Sequence, residues 1–186
     1  MPRSHRTGTP GAGGVRRANH RLPSGSRSTV ERALAKWTAA ISQFTGKMTP
    51  EQARWCFAQA RVARLATADA GGRPHLVPMV FALASNTIYT AVDAKSKRST
   101  SLRRLANIAA NPRVAALVDH YDDDWTALWW VRADGSGRMV DAGEPEGRKA
   151  IARLMARYPQ YRARPPHGPV LAIDVGRWSS WTAAAG

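Results

Sequence analysis

Residues 86–118 read NTIYTAVDAKSKRSTSLRRLANIAANPRVAALV, and the order of patterns within them decides the fold. The β-branched and aromatic residues Thr87, Ile88, Tyr89 and Thr90 predict a strand over 86–93. Leu102, Leu105 and Ile108 recur every third residue and Asn111-Pro112 stops the run, which predicts a helix. RVAALVDHY (113–121) then reads as a further strand. A helix N-terminus carries partial positive charge and favours Asp or Glu. Here Lys95, Lys97 and Arg98 approach it, and Arg103 and Arg104 lie one turn in. Two readings fit. In one, a phosphate or similar anion takes the helix N–H groups and the neighbouring cations, with Ser99, Thr100 or Ser101 capping. In the other, the cations keep an exposed turn solvated.

The flanking sequence extends the β pattern. TPEQARWCFAQA (49–60) opens a helix with a Thr cap, Pro at the first helical position and an acid next. RVARLATAD (61–69) alternates like a half-buried strand, Ala70-Gly71-Gly72 turns, and PHLVPMVFAL (74–83) reads as a second strand. Pro78 within it requires an edge or a bulge. Downstream, TALWWVRAD (126–134) is a strand, Gly135-Ser136-Gly137 a turn into RMVDAG, and 145–157 a helix with Ile151, Leu154 and Met155 on one face. GPVLAIDVG (168–176) is a last strand that RWSSWT extends or pairs with. The expected fold is mainly β: a small barrel of six to seven antiparallel strands with helices on its outside.

The chain has 186 residues, enough for one well-buried domain, and no apolar run of the length that spans a bilayer. Its one cysteine, Cys56, leaves no internal disulfide and no cysteine metal site, which suits a reducing, cytoplasmic compartment. The formal net charge is +15, of which +8 lies in residues 1–47 and +7 in 48–186. The first 29 residues are rich in Gly, Pro, Ser and Arg with little to bury, so 1–47 is expected to be a disordered basic leader. It lacks the apolar core of a secretory signal. It fits a presequence or a nucleic-acid arm, or Met48, which opens the patterned part, is the true start. The organisation expected is therefore a leader over 1–47 and one domain over 48–186.

Several chemistries are excluded. The chain has neither G-x-S-x-G nor G-x-x-x-x-G-K-[ST], and none of its five histidines has the i, i+4 partner of a zinc helix. DHYDDDW (119–125) offers carboxylates, read here as a solvated loop, so no metal is assigned. Trp125, Trp129 and Trp130 crowd one segment, and adjacent Trp129 and Trp130 must face opposite sides of a strand. One enters the core, leaving the other for an interface or a flat ligand, and Trp178 and Trp181 raise the same choice.

IYTAVDAKSKR followed by NIAANPRVAALV resembles the pyridoxamine 5'-phosphate oxidase-like FMN-binding split barrels, and VARLATADAGGRPHLVPMVF is similar to their opening hairpin. MTPEQARWCFAQARVARLAT, LRRLANIAANPRVAALVDHYDDDW and LWWVRADG resemble in particular the actinobacterial flavin/deazaflavin oxidoreductases, whose expected cofactor is coenzyme F420. The resemblance covers about 48–182. It implies a homodimer of split barrels with cofactor sites in the seam. Lys97 and Arg98 fall where the family clamps the cofactor phosphate, with Lys95 and Ser99 close by. Tyr89 and Thr90 match the strand-end pair at the phosphate and ribityl region. Val77, Pro78, Met79 and Val80 match the strand whose backbone lies along the ring. Trp130 stands where many flavin-binding members carry a polar residue. GRWSSWT keeps only an echo of the pattern that true pyridoxamine phosphate oxidases use for substrate, which argues against vitamin B6 oxidation. The resemblance implies an F420-dependent reductase of a small conjugated acceptor such as a quinone or enone, with no catalytic side chain required. Arg103, Arg104 and Arg132 are available for the acidic tail of F420. The alternatives are an FMN enzyme on the same fold, a non-catalytic flavin or deazaflavin carrier, and, last, a nucleic-acid binder driven by the leader.

Overall fold

The structure, a computed structural model, describes residues 48–91 and 100–183. The leader (1–47) and four of the expected site residues, Lys95, Lys97, Arg98 and Ser99, lie outside the described residues.

Helix α1 (Pro50–Gln59) opens on a capping box: Thr49 Oγ1 accepts from the Gln52 N–H and Gln52 Oε1 accepts from the Thr49 N–H at 2.7 Å. It buries Ala53, Cys56 and Phe57, the i, i+3, i+4 face. Strands β1 (Ala63–Ala68) and β2 (Pro74–Met79) form a hairpin. Asp69 Oδ1 braces its turn by accepting from the Gly71 and Arg73 N–H groups, and Gly72 takes the left-handed backbone at φ +80°. β3 (Ala82–Ala84), β4 (Thr87–Ala91), α2 (Thr100–Ala110) and β5 (Arg113–His120) come next. A 3-10 turn (Trp125–Ala127), β6 (Trp129–Val140), α3 (Pro145–Arg157), α4 (Pro159–Ala163) and β7 (Val170–Thr182) complete the chain described.

The seven strands form one sheet in the order β2-β1-β5-β6-β7-β4-β3, every pair antiparallel. Its outermost strands, β2 and β3, are separated in sequence only by Val80 and Phe81. In a flat sheet they would lie about 29 Å apart, six spacings of about 4.8 Å. The chain from Met79 to Ala82 spans at most about 11 Å. The sheet must therefore roll up until its ends nearly meet, which is the split barrel expected. Inward side chains such as Leu65, Ile88, Val118, Trp129, Val131 and Ile173 fill it. Phe57 of α1 plugs one end, its ring 4.9 Å from Phe81 and 5.2 Å from Trp178.

Four local features differ from the sequence reading. The strand expected over 74–83 breaks at Val80-Phe81, because the Phe81 backbone bonds to the Tyr158 hydroxyl instead of to a neighbouring strand. Pro78 does lie on an edge, since among the described residues β2 pairs only with β1. Gly135-Ser136-Gly137 makes no turn, and β6 runs straight through it with a register shift at Asp134/Gly135. Its glycines serve close approach. A Cβ at Gly135 would lie 2.4 Å from the Asp174 carbonyl oxygen, and one at Gly137 would press on Ile108. The strand expected from 126 starts at Trp129, because Asp124 caps a 3-10 turn by accepting from the Thr126 N–H and hydroxyl. Helix α4 has no counterpart among the expected elements, although Pro159 stands at its first position. RWSSWT extends β7.

The close approach at the β6 bulge has a measurable cost. Gly135→Ala is expected to destabilise the protein by about 1–3 kcal/mol through overpacking against backbone, whereas Ser136→Ala, exposed on the same strand, changes little. Urea denaturation of the two variants checks this.

Candidate functional site

The site expected from the sequence centres on the end of β2. Val77 and Met79 turn inward, with Met79 buried, while Pro78 faces out. Val80 packs in a small cluster with Ala82, Ala91, Leu154 and Tyr158. The end of β2 and the end of β4 are thus brought together where the chain leaves toward residues 92–99. Helix α2 returns beside β1, to which it is tied by the buried Asn107 amide donating to Thr67 Oγ1 at 2.9 Å. Arg103 is exposed and Arg104 half-buried. Burial pushes the Arg104 guanidinium below its ordinary pKa, and nearby Tyr161 opposes the shift. Tyr161 packs on the same cluster as Val80.

Tyr89 and Thr90 do not converge, because neighbours on a strand face opposite sides. Thr90 is buried, whereas Tyr89 lies on the α3 side and packs near Val140, Ala150 and Ala172. Its hydroxyl donates to Glu146 Oε1 at 2.9 Å. Glu146 accepts two bonds from Arg138, whose Nε donates to Asp174 Oδ2 at 2.8 Å, and Asp174 accepts from the Thr87 hydroxyl. The Arg138 hydrogen bonds hold the Glu146 and Asp174 carboxyls below their ordinary pKa values. Partial burial, then Glu146, pushes the Tyr89 phenol up.

Trp129 and Trp130 part as expected. Trp129 is 2% exposed in the core, stacked near His120, and Trp130 faces outward. The strand register assembles three rows on the outer face of the sheet. One holds Pro78, Arg64, Leu117, Arg132 and Ser179; the next holds Leu76, Ala66, Ala115, Asp134 and Arg177; the third holds Asp119, Trp130 and Trp181. Leu76 is 64% exposed and Trp181 46%. Arg64 pairs with Asp119, and Asp134 with both Arg132 and Arg177 at 3.0 Å, so each charge on this face has an opposite neighbour, three arginines against two aspartates. Pro78 and Trp130 share the face but are three strand spacings apart, about 14 Å.

A residue the sequence reading missed governs the β2 end. Tyr158, at the close of α3, accepts from the Phe81 N–H and from Arg157 Nε, both at 3.1 Å, and its hydroxyl faces the carbonyls of Arg61 (2.8 Å) and Phe81 (2.9 Å). Arg157 donates to the Ala58 and Ala60 carbonyls and lies 5.0 Å from the Phe81 ring centroid. The signal available was Arg157-Tyr158-Pro159, where a proline ends an amphipathic helix and leaves the preceding residue extended.

The family model for pyridoxamine 5'-phosphate oxidase matches residues 49–182. The chain belongs to this family. Among solved structures it is similar to a conserved hypothetical protein of Mycobacterium tuberculosis, at 25% identity and a TM-score of 0.58 over 73% of this chain and 86% of that one. It also resembles an FAD-binding protein of Mesorhizobium loti, at 18% identity and 0.57 over 72% and 94%. A third is HutZ, the haem storage protein of Vibrio cholerae, at 15% identity and 0.55 over 71% and 90%. No curated protein matches the chain. Among the described residues of this family member, no helix is long and apolar enough to cross a membrane, and no group of three His, Cys, Asp or Glu could hold a metal.

The Arg138 network has a defined pH signature. Its carboxyls titrate lower in the folded chain, so its contribution is present above their ordinary values and lost as pH falls through the lowered ones. Its members are half-exposed, and each pair is expected to contribute at most about 1 kcal/mol. Arg138→Met should lower the urea midpoint at neutral pH, and that gap should close in acid.

Proposed function

We propose that this chain is an oxidoreductase acting as a homodimer, with a flavin-like cofactor in the seam between protomers and reduced F420 as its preferred hydride source. The observation that carries the reading is the outer face of the sheet. It combines Leu76, Pro78, Leu117, Trp130 and Trp181 with charged side chains that each face an opposite charge, and it adjoins β2, an edge strand among the described residues. Among the described residues β2 bonds only to β1, which leaves backbone N–H and C=O groups on its other side for the polar edge of a ring, so the residues present fit such a group. One protomer cannot clasp a single ring between Pro78 and Trp130 across about 14 Å. In a face-to-face dimer, Trp130 of the partner subunit supplies the opposite wall.

Within that site the backbone of Val77, Pro78, Met79 and Val80 lies along the ring. Lys97 and Arg98, helped by Lys95 and Ser99, hold the phosphate, and Thr90 and Tyr89 mark the strand end leading to it. Arg103, Arg104 and Arg132 are available to extend the cationic path for a longer acidic tail, as F420 requires and FMN does not. The bound cofactor supplies the hydride chemistry; the protein binds it, orients it and keeps one face dry. The acceptor is a small, electron-poor conjugated molecule such as a quinone or enone, bounded by tryptophan. FMN in the same seam is the second reading, favoured by the family and by the FAD-binding protein among the similar folds.

Titration of the full chain with F420 and, separately, FMN, followed by tryptophan quenching, tests the reading. Tighter F420 binding is expected. Tighter FMN binding would move the protein to the flavoenzymes, and binding of neither would overturn the seam. Lys97→Ala combined with Arg98→Ala should weaken binding about tenfold or more, from lost charge-assisted bonds, without changing the oligomer. Leu76→Asp should convert dimer to monomer in sedimentation velocity, because it puts an unpaired carboxylate where the proposed interface would bury the exposed Leu76 side chain.

A further inference from the structure

We infer that Tyr158 is a positioning residue for the cofactor wall, setting where the backbone of Val77–Val80 ends. This rests on the assignment of that segment to the cofactor. Among the described residues β2 is held on one side only, by β1, and an edge strand of this kind frays at its end unless something else fixes it. Directly after Val80 comes Phe81, whose ring is fully buried against Phe57 and under the Arg157 guanidinium. A strand break at a buried residue would leave its N–H and C=O unsatisfied, which buried backbone does not tolerate.

One side-chain atom serves both, accepting from the N–H and sharing its single proton between the Phe81 and Arg61 carbonyls. The Tyr158 hydroxyl accepts from the Phe81 N–H and faces the Phe81 carbonyl. A phenol has one proton and two acceptor sites. With Arg157 Nε as its second donor and the Arg61 carbonyl competing for its proton, the full capacity of the hydroxyl is engaged. Phe81 therefore cannot shift along the strand without breaking its N–H bond to this hydroxyl and leaving the proton-sharing contact at its carbonyl, and Val80, one residue earlier, inherits that fixity. Tyr158 reaches this point from 77 residues away. It touches neither the cofactor nor a substrate in this scheme and acts through the backbone it holds.

Tyr158→Phe keeps the ring and removes only the hydroxyl. The affinity of the full chain for whichever of F420 and FMN the wild type binds more tightly is expected to fall about tenfold, the effect of losing one hydrogen bond at a buried site. The visible absorption bands of the bound cofactor should move toward those of the free molecule, and amide exchange at Phe81 should accelerate. Leu154→Ala, on the same helix and in the same cluster, is the control for general destabilisation. Faster Phe81 exchange with unchanged affinity and spectrum, or an equal loss of affinity in Leu154→Ala, would reduce Tyr158 to a structural tie and overturn the inference. Should Tyr158→Phe fail to fold, the wild type decides: saturating cofactor is expected to slow exchange at the Phe81 amide, and no change refutes the coupling. A wild type that binds neither cofactor removes the proposed function itself, and the inference with it.

Discussion

Buried backbone must find partners, and in this fold the hardest places to supply them converge on Arg157 and Tyr158. The C-terminal carbonyls of α1 have no partner within their own helix, the chain enters β1 without a neighbour at Arg61, and the sheet breaks at Phe81. Arg157 answers the first of these, at Ala58 and Ala60, where a cation also suits the negative end of the helix. Tyr158 answers the other two. Two consecutive side chains thereby hold the plug helix, the first strand and the break between the sheet's outer strands in one arrangement.

The two sides of the sheet illustrate different uses of charge. On the α3 side, Arg138 bridges Glu146 and Asp174 and draws in Tyr89, a surface network of modest energy that orients the helix over β4 and β7. On the outer face, Arg64 pairs with Asp119 while Arg132 and Arg177 share Asp134, so each charge faces an opposite one, with one positive charge in excess, beside Leu76, Pro78, Leu117, Trp130 and Trp181. Pairing within the protomer is what lets such a face be covered without stranding a charge. The interior holds Cys56 in the same spirit: burial pushes its thiol up to about 11, so it is a small packing group and not a nucleophile.

Much of the architecture was legible because it is written in local periods. The alternation in β1 and β5, the cap at Thr49, the three-residue spacing in α2 and the proline start of α3 are short-range signals, and the structure obeys them. What stayed hidden depends on partners far along the chain. The break at Phe81 needs Tyr158, and Tyr89 is drawn toward α3 by a glutamate 57 residues away. Gly135-Ser136-Gly137 misled for another reason, since glycine marks a turn and a tight backbone approach with the same letter. Of the candidate site, the strand residues and Trp130 could be placed, while the cationic clamp lies outside the described residues.

The place of β7 in the sheet has a consequence for how the chain comes off the ribosome. This strand, the latest of the seven in sequence, lies between β6 and β4. Until it has emerged, the protein exists as two unjoined pieces: β2-β1-β5-β6, and the short β3–β4 hairpin waiting with one edge open. The joining contacts span long stretches of chain, such as Thr87 to Asp174, and such pairings form slowly. Through that interval the inner edges of β6 and β4 are open templates for other strands, so a nascent chain stalled before residue 170 presents the surface that chaperones recognise.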